Sequence, residues 1–146
     1  MKVKHKAIVV DLDGTLAINT FRKNGPYDAS KCDEEDLQNV PVVETVRALA
    51  FAGYYCVFCS GREDKYKAPT QRFIQACFPE MNNDWALFMR QTGDNRRDSI
   101  VKREIYEEQI APRFEILVWI DDRDQVVEMV RKDLNLPCFQ VNYGNF

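Results

Sequence analysis

The sequence predicts an α/β domain built on a central parallel sheet with helices on both faces. Three observations predict it. Short apolar runs rich in β-branched and aromatic residues alternate with amphipathic helical patterns along the whole chain. The residues able to do chemistry fall at the carboxyl ends of those runs or at the helix starts beside them, which is where open α/β sheets bind ligands. A chain of 146 residues, 45% hydrophobic and 12% aromatic, is long enough for one domain with a sizeable core.

Residues 6–12 read as the first strand, because Ala7-Ile8-Val9-Val10 has the composition of a buried parallel strand. It delivers Asp11 and Asp13, which lean the same way because strand side chains alternate, and then Gly14-Thr15 at a turn. Two carboxylates so close repel unless a cation lies between them or one holds a proton. Residues 14–40 are polar, turn at Asn24-Gly25-Pro26 and carry Arg22. So long a segment, starting where the strand delivers its aspartates, is expected to be a flap over a site.

Asn39 as cap and Pro41 in the first turn open a helix with Val42, Val43, Val46, Leu49 and Ala50 on one face, closed by Gly53. Tyr54 to Cys59 reads as the second strand, stopping at Ser60-Gly61-Arg62-Glu63. A helix follows from about Pro69 to Phe78, then a short strand from Trp85 to Met89 and a charged connection from Asp94 to Arg97. Asp98 or Ser99 is expected to cap a helix to Ile110, with Lys102 one turn after Asp98. Phe114 to Ile120 is the most apolar strand and ends in Asp121-Asp122-Arg123. Asp124 is expected to cap a helix through Leu134, before a last strand, Cys138 to Val141, and a tail, Tyr143 to Phe146. No repeat or linker divides the chain, so residues 1–146 read as a single domain.

Composition narrows the function. A net charge of −3 advertises no strong general affinity for nucleic acid. No apolar run reaches the length of a membrane span, and the basic start Met1-Lys2-Val3-Lys4-His5-Lys6 lacks the apolar core of a signal peptide. Five cysteines, an odd number, fit a reducing compartment, so a cytoplasmic protein with no membrane partner is expected. Cys56 and Cys59 form a C-x-x-C inside a strand; three apart, they point to opposite faces and read as buried thiols, not a redox or zinc pair. His5 is the only histidine, so acid–base chemistry must rest on carboxylates.

Asp11, Asp13, Asp121 and Asp122 all lie at strand ends, and carboxylates gathered at one point bind a hard cation, Mg²⁺ by default when phosphate is the partner. With that charge offset, Asp11 is placed to attack phosphorus and form an aspartyl-phosphate. Ser60 and nearby backbone N–H groups suit the phosphoryl oxygens, and Lys102 supplies a point charge. Asp13 is placed to protonate the leaving alcohol and then activate water, provided its surroundings raise its pKa.

The strings D-L-D-G-T-L-A at 11–17, S-G-R-E at 60–63, D-x-x-x-K at 98–102, W-I-D-D-R at 119–123, V-V-E-M-V-R at 126–131 and C-F-Q-V-N-Y-G-N-F at 138–146 resemble the haloacid dehalogenase superfamily of phosphotransferases. More narrowly, with Arg22 in the flap, the chain resembles the 3′-phosphatase domain of phage polynucleotide kinase-phosphatases over nearly its whole length. The resemblance implies the three-layer Rossmann-like fold of that superfamily, with a small flap and no large cap. It implies that Asp11 is nucleophile and metal ligand, and that Asp13 is general acid/base with its backbone carbonyl on the metal. Arg22, Ser60, Gly61 and Arg62 would serve the phosphate or leaving group, and Lys102 would be the phosphate-site lysine, held by Asp98. Asp121 and Asp122 would serve the metal; which of them touches it is left open.

The function implied is Mg²⁺-dependent removal of 3′-terminal phosphate from DNA or RNA ends. The alternative is a phosphatase of free nucleotides or other small phosphomonoesters. A catalytically dead end-binding module is a third reading, and the intact nucleophile and metal residues count against it. No G-x-x-x-x-G-K-[ST] occurs, so the phage kinase half has no counterpart in the sequence. A separate or fused 5′-kinase or ligase is the expected partner.

Overall fold

The computed structural model describes residues 3–146. Strand β1 (His5–Val10) is the central strand of the sheet, with strands flanking both its edges and helices packed over both its faces. Past it come the short β2 (Ala17–Ile18), α1 (Cys32–Glu35) and β3 (Leu37–Gln38), then α2 (Val40–Phe51). Next are β4 (Tyr55–Glu63), α3 (Lys67–Cys77), β5 (Ala86–Arg90) and α4 (Asp98–Ile105). Strand β6 (Phe114–Asp121), α5 (Asp124–Lys132) and β7 (Cys138–Gln140) complete the chain.

Five strands form one sheet in the order β5-β4-β1-β6-β7, and every pairing is parallel. Alternation along β1 separates two cores. Ile8 and Val10 pack with Val42, Val43 and Val46 of α2 and Phe73, Ile74 and Cys77 of α3. Ala7 and Val9 pack on the other side with Val101 and Ile105 of α4 and Val126, Val127 and Val130 of α5. The result is the three-layer α/β architecture expected. Cys56 lies in the first core and Cys59 in the second, so the C-x-x-C pair is split by the sheet.

The flap of residues 14–40 is a built structure. Strands β2 and β3 pair antiparallel, Ala17 with Gln38 and Ile18 with Leu37, and Leu16, Ala17, Ala29 and Cys32 anchor it in the first core.

Three local expectations are corrected. Strand β4 does not stop at Ser60 but runs on to Glu63, with a bulge between Ser60 and Glu63 against β5. Its polar end can continue the strand because its groups are paired inward: Arg62 N–H, for example, donates to Ser60 Oγ at 3.1 Å. The helix after Asp98 keeps α-form only to Ile105, then widens into a π turn, Tyr106–Ile110. None of the expected capping side chains caps. Asn39 donates instead to Thr15 O at 2.9 Å, while Asp98 and Asp124 sit inside their helices with their carboxylates on Arg90 and Gln140. Tertiary partners outcompete the helix N–H groups for each of these side chains.

Candidate active site

Strands β1, β4 and β6 end side by side and lay their polar residues around one open pocket, lined among others by Asp11, Asp13, Ser60, Arg62 and Asp122. Asp11 continues β1, its N–H donating to Ile120 O at 2.9 Å, so the sheet itself fixes the carboxylate. Lys102 Nζ donates to Asp11 Oδ1 at 2.8 Å and to Asp121 Oδ2 at 2.9 Å, and lies 3.5 Å from Asp98 Oδ2. Thr15 Oγ1 donates to Asp11 Oδ2 at 2.9 Å. Lys102 is 1% exposed; a lysine is buried so completely only when paired.

The acidic side of the site outweighs this lysine. Carboxylate oxygens of Asp11, Asp121 and Asp122 lie within 4.8 Å of one another. Burial, reinforced by the charge of Asp121 and opposed by Lys102, drives the Asp11 carboxyl well above its ordinary range. Burial likewise raises Asp122. Burial works against the charge of Lys102, but Asp11, Asp121 and Asp98 overcome it and push its pKa up. Three buried carboxylates around one ammonium leave a charge deficit of the kind a divalent cation fills.

The two neighbouring aspartates differ in what they have left to offer. Asp121 Oδ1 accepts from the N–H groups of Asp122 and Arg123, and Oδ2 from Lys102 and from Trp119 Nε1 at 3.3 Å. Asp122 has one long contact, from Thr15 Oγ1 at 3.5 Å. Gly14 makes room for it: a Cβ there would stand 2.1 Å from Asp122 Oδ2, at a φ of +79°.

A cationic cluster faces this acidic one. Arg62 donates to Asp13 from Nη2 at 2.6 Å and from Nε, and Arg22 Nη2 donates to Asp13 Oδ1 at 2.8 Å. Behind them Asp36, on the flap, accepts from Arg22 Nε at 2.8 Å and Nη2 at 2.6 Å and from Arg62 Nη2 at 3.1 Å. Thr70 Oγ1 accepts from Arg62 Nη1 at 3.0 Å. Arg22 is therefore a buried, fixed cation. Burial tends to raise the Asp13 carboxyl, but Arg62 and then Arg22 outweigh it and hold the group below its ordinary range. The condition that surroundings raise the pKa of Asp13 is thus not met in the free protein.

Ser60 is buried, its Oγ accepting from the Arg62 backbone N–H. Gly61 passes so close to Asp98 that a Cβ would lie 2.1 Å from Asp98 Oδ1. The Asp98 carboxylate is itself engaged by Arg90 at 3.3 Å, so it braces cations rather than presenting a surface to an anion. Sequence reasoning missed Asp36 and Arg90. Arg90 ties Gly61 O, Asp94 O and Arg96 O together at 2.7, 3.1 and 2.6 Å. Asp36 ends the run Asp33-Glu34-Glu35-Asp36, which carries no signal to separate it from a solvated acidic turn.

Among known proteins, residues 5–146 match the family described as the polynucleotide kinase PNKP phosphatase domain. A "Putative bifunctional polynucleotide kinase/RNA ligase" of Autographa californica nuclear polyhedrosis virus is 32% identical over 133 residues, 90% of this chain and 18% of that protein. A chain of the Pnkp1/Rnl/Hen1 complex superposes with a TM-score of 0.86 at 42% identity, over 98% of this chain and 48% of that one. A class C acid phosphatase from Bacillus anthracis with tungstate bound shares the fold, with a TM-score of 0.65 at 12% identity. The chain spans less than half the length of the first two relatives.

Proposed function

The chain belongs to the polynucleotide kinase phosphatase domain family and is a phosphoric monoester hydrolase; from that premise we propose that it removes 3′-terminal phosphates from nucleic-acid ends with Mg²⁺ as cofactor. The observation that carries the reading is the buried cluster of Asp11, Asp121 and Asp122, with Lys102 paired to the first two. Its donors are all hard oxygens, which fit Mg²⁺. Asp11 and Asp122 have oxygen lone pairs left to hold the ion, whereas every oxygen of Asp121 is occupied by protein donors, so Asp121 orients Lys102. Bound there, the metal supplies charge stabilisation for the phosphoryl oxygens.

Asp11 attacks phosphorus; its new P–O bond forms as the bond to the 3′-oxygen breaks. Arg22 and Arg62 line the pocket, Lys102 lies buried beneath it on Asp11 and Asp121, and the three cations offset the phosphate charge. An incoming phosphate competes with Asp13 for the same guanidinium ions. Losing them, Asp13 rises toward the range in which it can carry the proton the leaving 3′-oxygen needs. It then takes a proton from the water that cleaves the aspartyl-phosphate.

Similarity to a chain of an RNA repair complex and to a kinase/RNA ligase supports RNA ends as substrates and a 5′-kinase or ligase as the partner activity. The test compares phosphate release from a 3′-phosphorylated oligonucleotide, its 5′-phosphorylated twin and mononucleotides, with and without EDTA. The 3′-oligomer should be far the best substrate and EDTA should stop turnover. A preference for 5′-ends or free mononucleotides would overturn the assignment.

A further inference from the structure

Phe146 lines the same pocket as Asp11, Asp13 and Asp122, yet it belongs to neither hydrophobic core and is 63% exposed. Its position is fixed by polar contacts. Arg123 Nε donates to Phe146 O at 2.9 Å, and the Arg123 guanidinium lies over the ring, 5.0 Å from its centroid. Two residues earlier, Gly144 O accepts from Asp124 N–H at 2.7 Å. Gly144 is pressed so tightly on the turn that a Cβ would fall 1.9 Å from Asp122 O. The ring is thus attached to the same Asp122–Arg123–Asp124 turn that presents Asp122 to the pocket. Tyr143, three residues away, is 97% exposed but does not line that pocket.

An aromatic ring held this way has one face on a guanidinium and the rest open. We propose that Phe146, backed by Arg123, is the stacking platform for the base of the 3′-terminal nucleotide. The proposal rests on the 3′-phosphatase reading and adds to it a base subsite. In a nucleoside 3′-phosphate the base is a flat aromatic group one sugar away from phosphorus, so a phosphate at Asp11 leaves its base to the rim of the pocket. Stacking on an aromatic face is tolerant of sequence because every base has a π-face. The platform accordingly favours a base over no base, and purines over pyrimidines, without reading hydrogen-bonding edges.

The experiment uses the full chain and two 3′-phosphorylated oligonucleotides, identical except that one ends in an abasic sugar 3′-phosphate. Wild type should turn over the base-containing end with a lower KM, by about tenfold, within the range base–aromatic stacking supplies. Phe146→Ala and Phe146→Leu should erase that advantage while keeping kcat on the abasic end. Phe146→Trp should keep the advantage, and Tyr143→Ala should leave it untouched. No advantage in wild type, an advantage that survives Phe146→Ala, or equal damage by Phe146→Ala to both substrates would overturn the platform while leaving the 3′-phosphatase reading standing. Failure of wild type to hydrolyse either 3′-end, with turnover of 5′-ends or small phosphomonoesters, would sink both.

Discussion

At the scale of single residues the site divides into groups that spell themselves out in sequence and groups that do not. Asp11, Asp121 and Asp122 were readable because each closes or follows an apolar strand, and Lys102 because it lies one turn after Asp98 in the helix beside them. Replacing Asp11 with Asn should drop phosphate release by at least about 10³-fold, as loss of a nucleophile does. The thermal midpoint should hold or rise, because one buried carboxylate of a crowded set is neutralised. Phosphate release and unfolding measured on the same sample check both halves. Asp36 was not readable, since its burial depends on the flap folding over Arg22 and Arg62. Asp36→Asn should cost up to about 3–5 kcal/mol, the loss expected when one member of a buried ion network is removed. It should also lower the rate by removing one shared anchor of two guanidinium ions, and denaturant unfolding with steady-state kinetics reads both.

At the scale of elements, the apolar strands and the helices with one apolar face were legible because burial writes a period into the sequence. The end of β4 was not, because Ser60-Gly61-Arg62-Glu63 has the composition of a turn and is kept extended by partners distant in sequence. The caps failed for the same reason. The close approach of β4 to α4 at Gly61 gives a sharp prediction. Gly61→Ala puts a methyl group against the Asp98 carboxylate, which must move away from Lys102 and Arg90. The overpacking should cost about 1–3 kcal/mol and slow turnover, whereas Ala at Gly93, whose Cβ meets nothing but whose φ is +92°, should lower the thermal midpoint through backbone strain and leave the rate unchanged. Rates and thermal midpoints of the two variants decide it.

At the scale of the whole molecule, the alternation of strand and helix sufficed to predict the sheet, and its all-parallel pairing brings the acidic strand ends together at one edge. The native fold therefore assembles the carboxylates at a distance the unfolded chain does not hold. A cation that binds only the native cluster stabilises by mass action, by about 2.7 kcal/mol at a hundredfold excess over its Kd. Mg²⁺ should raise the thermal midpoint by several degrees, and the rise should vanish in Asp122→Asn, as calorimetry with and without the ion will show. The ion network beneath the flap reaches further than its chemistry. Asp36 on the flap grips Arg62 on the sheet, and Arg22 on the flap grips Asp13 at the end of β1. Lifting the flap would strand buried charges on both sides, so residues 14–40 lack a cheap local opening. The amides paired between β2 and β3, with those of Ala17 and Asn39, should exchange with heavy water only in the same rare excursions that release β1, which makes this base of the flap part of the molecule's most slowly breathing cooperative unit.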